Sequence, residues 1–420
     1  NTIYYAFIGD HIAEGSTEDE VSALARTYKT KQIDTYRNMI IGKRMTDDDM
    51  KLMIPRHDWT SNTVFEMYDD TKVDLLDTKF FTVVDEDEYK HVYKCLYNAN
   101  GAPSTSQPLF KDAQYDGDLF EAGDDYYETN DGYQWKYMYS IDSRIFNKFA
   151  TQKYIPVTAN TTVEDASSRG SLDVIRVIKH GKNYNNAKTG QFIAEDLNRI
   201  TPTIAAAQTP ALVGPTLWYR LREASQVENF YANTVITLTS GTGAGDYRNV
   251  VESRYVTGIG VFVKVDTQFT VSPDDTTTYD ISPRVRITGN GGETVKATAR
   301  AIINATASNS VHKIEMLETG EGYTYAAAAV LAGAPADENQ EASGALIETT
   351  EAEIRPIISP QDGHGANSAI ELGANRVSMY MKFNRDESNL VAAENSFGQF
   401  GILREPKYAN VEIYFENPTG

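Results

Sequence analysis

Cysteine is almost absent from this chain: one residue, Cys95, in 420. It can close no internal disulfide, so nothing argues for an oxidising compartment. Cys95 lies in the strand-like run His91–Tyr97 and reads as a small buried hydrophobe, not a reactive thiol. No apolar run reaches the roughly 18 residues of a membrane-spanning helix, and no signal peptide is visible. Basic residues are outnumbered, with 39 Lys and Arg against 59 Asp and Glu and a formal net charge of -20. Phosphate backbones and anionic lipid surfaces repel such a chain, so neither nucleic acid nor membrane is expected as a partner.

The signatures of catalysis are missing too. There is no His-Glu-x-x-His pair to hold zinc from one helix face and no Gly-x-Ser-x-Gly nucleophile elbow. Gly241, Gly243 and Gly245 cluster like a phosphate loop, but they lie between two strand patterns and lack the Gly-x-Gly-x-x-Gly spacing. A pyrophosphate needs a helix N-terminus after such a loop, so a hairpin turn is expected. The histidines (His11, His57, His91, His180, His312, His364) are scattered. Only His364, between Gly363 and Gly365, stands in a loop with a functional look, and a loop-shaping or interface role suits it better than ligand or base. Asp112, Asp116, Asp118, Glu121, Asp124 and Asp125 form an acidic loop without EF-hand spacing, best read as a solvated face. Carboxylate pairs for glycoside cleavage are set by spatial separation, so the sequence is silent on them. The sequons at Asn160 and Asn304 mean little without a secretion signal. No catalytic, cofactor-binding or metal-binding residue is assigned, no cofactor is expected, and the chain is read as no enzyme.

What the chain has in excess is tyrosine, 26 residues. With frequent Thr and Val, this composition suits pleated, half-buried surfaces. The clearest strand is Tyr133–Tyr139 after the Asp131-Gly132 turn. Tyr133, Trp135, Tyr137 and Tyr139 alternate with Gln134, Lys136 and Met138, which predicts an amphipathic strand with four aromatics on one face. Those four are expected to pack a core or a subunit seam instead of lining a ligand groove.

Other strands are expected at 1–9, 79–84, 92–97, 153–157, 377–383, 399–406 and 411–415. Thr17 and Glu20 make a capping box for a helix through Val21, Leu24 and Tyr28, which Ile33, Tyr36 and Ile40 could continue. Thr46-Asp47-Asp48-Asp49 predicts a second, short helix, limited by Pro55. Residues 98–131 read as a long loop and 158–170 as a linker. Beyond it the texture changes, low in charge and rich in Thr, Ala, Gly and Val. Here Ile175…Gly181-x-x-Tyr184 lines up with Ile314…Gly320-x-x-Tyr323, a weak repeat of strand, glycine turn and tyrosine.

The predicted fold is therefore mainly β: a layered antiparallel β-sandwich core with helix-bearing loops and an inserted all-β region. The core occupies 1–160, the insert 161–355, open to division into two modules, and 356–420 returns to the core.

Several segments, taken in order, resemble the dimeric baseplate wedge protein of T-even-type contractile-tailed bacteriophages. They are Asn1–Gly9, Met53-Ile-Pro-Arg-His-Asp-Trp59, Tyr93-Lys-Cys-Leu96, Gly132-Tyr133-x-Trp135-x-Tyr137, Tyr154-Ile-Pro-Val157 and Gln399-Phe-Gly-Ile-Leu-Arg-Glu-Pro406. The resemblance covers about 1–157 and 357–410. The family has no equivalent of most of 161–355, so the insert's role does not transfer. The family's first strands and final segment are also missing, as expected of a chain trimmed at both ends. The resemblance implies a structural protein of the virion, in the tail baseplate. It implies a homodimer that contacts other wedge subunits around the tail hub and rearranges on contraction. The competing expectation is a carbohydrate-binding or depolymerising tail protein, whose tyrosines stack on sugars and whose carboxylates cleave them.

Overall fold

The computed structural model describes residues 2–12, 33, 36–86, 88–109, 126–193, 217–331, 349–382, 396–405, 407–408 and 411–412. The helix start at Thr17, the acidic loop 112–125 and the end of the 411–415 alternation lie outside the described residues. The protein is mainly β, with 46% strand against 8% helix.

The centre is a four-stranded antiparallel sheet in the order Phe81–Glu86, Tyr89–Asn98, Tyr133–Asp142, Tyr127–Glu128. Strand Tyr133–Asp142 is not amphipathic, since seven consecutive residues from Tyr133 are buried. Packing covers both faces of the sheet. Phe65, Met67, Tyr93, Cys95, Tyr133, Trp135 and Tyr137 form one cluster. Ile54, Phe80, Val92, Met138, Tyr139, Ile141, Ile155 and Leu372 form the other.

Tyr139 thus leaves the aromatic face predicted for it. The register steps from Tyr93↔Tyr137 to Val92↔Tyr139. The extra residue of this bulge shifts the alternation, so Tyr139 follows Val92 to the opposite side. Cys95 is wholly buried, and burial pushes its thiol pKa well up, as an inert core cysteine requires.

Two further sheets join residues far apart in the chain. Strand Tyr4–Ile12 lies between Met39–Arg44 and Ser396–Arg404. Strand Met50–Pro55 lies between Tyr154–Pro156 and Arg376–Met379. Ile40 therefore belongs to a strand and does not continue a helix. Asp47 to Asp49 form a turn, not a helix start. The Asp49 carboxylate accepts from the Thr46 backbone N–H (3.3 Å) and hydroxyl (2.8 Å), and strand pairing begins at Met50.

The expected linker 158–170 contains a helix, Thr161–Asp165. The Asn160 side chain caps it by accepting from Val163 N–H, and Val163 is fully buried. The hydrophobic contact and the cap together give this short segment an order its composition hides.

Strands Val174–Lys179 and Glu353–Ile357 pair antiparallel. Between them, residues 188–330 supply a nine-stranded sheet. Its longest strand, Thr278–Gly289, joins two halves. One packs Phe192, Tyr219, Tyr231, Ile236, Val263, Tyr279 and Ile281. The other packs Ile175, Tyr184, Val285, Ala301, Val311 and Ile354. Residues 240–246 form the expected hairpin turn, joining Thr234–Ser240 to Tyr247–Val256.

The weak repeat becomes a physical unit here. Gly181 and Gly320 both take positive φ, and a Cβ on either would meet backbone: Ala352 N at 2.7 Å and Ala297 N at 2.6 Å. Those two N–H groups donate to the hydroxyls of Tyr184 (2.8 Å) and Tyr323 (2.9 Å). The residue after each glycine makes an isolated antiparallel bridge, Lys182↔Thr350 and Val295↔Glu321. The next strands, Lys188–Gln191 and Ala326–Val330, both pair with Thr278–Gly289.

Candidate functional site

Opposite the aromatic cluster, the central sheet buries charge. The register sets Lys94 against Lys136 on adjacent strands, and both side chains are buried. The returning segment 363–371 brings anions to them. Gly363 and Gly365 take positive φ, which folds the loop sharply and turns His364 inward. Helix Ser368–Glu371 follows, capped by Asn367, and carries Glu371.

Lys94 Nζ lies 2.7 Å from Glu371 Oε2 and 2.8 Å from His364 Nδ1. The exposed fractions of the Lys94 and Glu371 side chains are 0% and 5%. The Tyr68 ring covers the ammonium, its centroid 4.2 Å away. Glu371 Oε1 accepts from the backbone N–H of Gly365 (2.8 Å) and Asn367 (3.2 Å). His364 Nε2 faces Asp173 Oδ2 at 3.5 Å, and Ser171 Oγ donates to that same oxygen at 2.7 Å.

Burial, followed by the charges of Lys94 and Lys136, holds the His364 pKa well below the usual imidazole range. The ring is therefore neutral, and Nδ1 accepts from the lysine. Burial also lowers the Lys94 pKa, with Glu371 pulling the other way. Of this cluster the sequence singles out only His364. In the alternation of strand 133–139, Lys136 reads as an outward residue. Lys94, Asp173 and Glu371 carry no signal, because only the register and the returning loop bring them together.

A second constellation resembles a catalytic triad in composition. His91 Nδ1 is 2.6 Å from Ser140 Oγ, and His91 Nε2 is 3.6 Å from Glu86 Oε2. A triad needs the acid within hydrogen-bond reach of the ring to orient it. Here that distance is too long, and Ser140 Oγ also meets the Tyr137 hydroxyl. The arrangement ties two neighbouring strands together. Among the described residues no group of three or more His, Cys, Asp or Glu is placed to hold a metal ion.

Open surface is found on the outer sheets. A groove of about 410 Å³ is lined by Tyr4, Met50, Lys51, Leu52, Val377, Met379 and Ile402. Leu52, Val377, Met379 and Ile402 are exposed, and so is Phe400 at 72%. Phe400 and Ile402 pair with buried Ile8 and Ala6, so this apolar surface continues from the interior to a sheet edge. The aromatic residues Tyr133, Trp135, Tyr137 and Tyr139 are all core, none more than 2% exposed, and line no groove.

Comparison with protein-family models, curated proteins and solved structures found no match to this chain.

Proposed function

We propose that this chain is a structural subunit of a bacteriophage tail baseplate wedge. On this reading it is a homodimer that links other wedge subunits around the tail hub, for assembly and for triggering contraction. It works by binding and geometry, in the virion, without cofactor or nucleic acid.

One observation carries the reading: the segments resembling the wedge protein, which lie in two separated parts of the chain, are neighbours in space. Tyr4–Gly9 of the first part pairs with Gln399–Arg404 of the second, and within the first part Met53–Pro55 pairs with Tyr154–Pro156. Segments of the resemblance that lie nearly 400 residues apart are thus joined by strand pairing, as one shared core would require. The exposed apolar residues Leu52, Val377, Met379, Phe400 and Ile402 add support, because contiguous apolar surface of this kind marks subunit contacts.

The sugar-binding alternative has less support. Its stacking platforms would be exposed tyrosines in 161–355. Among the described residues there, Tyr184, Tyr219, Tyr231, Tyr279 and Tyr323 are buried, Tyr247 and Tyr255 are half-buried, and Tyr325 is exposed.

The test is quantitative proteomics of purified virions together with sedimentation of the purified protein. A stoichiometric copy in tails and a dimer in solution are expected. Absence from virions, or polysaccharide cleavage by the protein, would overturn the assignment. The double variant Phe400→Asp/Ile402→Asp is expected to keep its far-UV circular dichroism and lose incorporation into tails.

A further inference from the structure

We propose that Lys94 and Glu371 join in an intramolecular amide bond, formed with loss of water, across the interior of the core. This stands apart from the baseplate reading and survives or fails without it. The two residues are 277 positions apart, so the bond would close most of the chain, insert included, into one covalent loop.

The components of the reaction are in place. The nucleophile is the Lys94 amine, wholly buried beneath the Tyr68 ring. The electrophile is the Glu371 carboxyl, whose Oε2 is 2.7 Å from Nζ. Its carbon is one C–O bond further, hence within about 4 Å of Nζ. Reacting atoms meet at about 3–3.5 Å, so a small approach suffices. Oε1 already receives two backbone N–H donors, Gly365 and Asn367, which suit the oxyanion of a tetrahedral intermediate. The base is neutral His364, with Nδ1 at 2.8 Å from Nζ and 3.9 Å from Oε2. It can take a proton from the nitrogen and return it to the departing oxygen.

Atoms and charges balance without any other reagent. The ammonium and carboxylate together carry the same protons as an amine and a carboxylic acid. The Nζ lone pair forms the Nζ–Cδ bond and the Cδ–Oε2 bond breaks. Two of the three ammonium protons leave with Oε2 as water, and the third stays on the amide nitrogen. Nothing is oxidised or reduced. The driving force is electrostatic. An ion pair held out of water has lost the hydration of both its charges, while an amide carries none. In solution water favours hydrolysis; in this closed site the uncharged product is favoured.

The experiment is intact-mass spectrometry of the folded full chain after denaturation, followed by tryptic mapping. The wild type is expected one water lighter than its sequence mass, with the Lys94 and Glu371 peptides recovered as one branched species. Lys94→Met is expected at its full sequence mass. Glu371→Gln, which offers ammonia as leaving group, is expected to lose ammonia where the wild type loses water. A folded wild-type chain at full mass, with both peptides linear, overturns the proposal. So does a loss of water that fragmentation places elsewhere. The wild-type digest decides by itself, so the test does not depend on either variant folding.

Discussion

A buried histidine ties the stability of this core to pH. Burial depresses His91 from the ordinary value of 6.5 to about 4, and its Nδ1 is engaged with Ser140. The folded state therefore resists protonation that the unfolded chain accepts freely. Stability is complete above about pH 6.5 and declines as pH falls from there toward about 4, by on the order of 3 kcal/mol for this group. His364 acts in the same direction, since its pKa is also lowered. Asp49, Asp69, Asp131 and Asp246, with pKa values below the ordinary 3.8, contribute their own losses only at lower pH. The two windows can thus be separated. Urea titrations at pH 7, 6, 5 and 4 should show the wild type losing stability across this range, and His91→Gln losing less of it. Equal slopes for the two proteins would mean that His91 accepts its proton in place.

At the scale of elements, the duplicated strand–Gly-x-x-Tyr–strand unit makes a paired prediction. Tyr184→Phe and Tyr323→Phe each leave a backbone N–H, of Ala352 or Ala297, without its hydroxyl acceptor. Tyr323→Phe should cost about 1–3 kcal/mol, the penalty of a buried unpaired donor, and Tyr184→Phe should cost less, because the Ala352 N–H is only partly buried. Gly181→Ala and Gly320→Ala should cost more, because the added methyl meets backbone at a positive φ. Chemical denaturation of the four variants checks this; a loss confined to one copy would show the likeness to be superficial. The repeat is legible in sequence because glycine and tyrosine leave marks at fixed spacing. The strands at 81–86, 89–98, 133–142 and 247–256 are legible for the same reason: alternation and turn residues are local. The positions where the structure departs from the local pattern share a cause as well. The strand at 39–44 is hidden by helix-like spacing that only its pairing with Tyr4–Ile12 overrides. The turn at 47–49 carries helix-capping residues without a helix to cap. The displacement of Tyr139 depends on a bulge against strand 89–98, and the lysine–glutamate cluster depends on a loop returning from 270 residues away or more. Register and long-range closure are not written in any local window.

For the whole molecule, the division of buried apolar surface predicts how it comes apart. The cluster around Tyr219, Ile236, Val263 and Ile281 is built entirely from 192–281 and shares no residue with the two clusters of the central sheet. Among the described residues the joint between them is small: a buried cluster of Leu172, Ala297 and Tyr323 with Ile358 packed against it, and one strand pair. Strand pair 174–179/353–357 gives Val174 and Ile357 to the core and Ile175, Val177 and Ile354 to the inserted side. Around it run ion pairs, Arg355 with Asp69 and Asp70 and Lys313 with Glu128, of the partly exposed kind that contributes about 0–1 kcal/mol each. Cooperativity follows shared apolar packing, so a joint this slight should let the two bodies unfold separately. The tryptophans make the test direct. Trp59 and Trp135 belong to the central aromatic cluster, while Trp218 packs with Val256 and Phe262 in the inserted sheet. In a Trp218→Phe variant, fluorescence reports the central cluster alone, whereas far-UV circular dichroism follows every strand. The two urea transitions are expected at different midpoints, with the dichroism curve biphasic. A single coincident transition would show that the 174–179/353–357 pair transmits enough packing energy to make one cooperative unit of the whole chain, and the inserted sheet would then have to be treated as part of the core it interrupts.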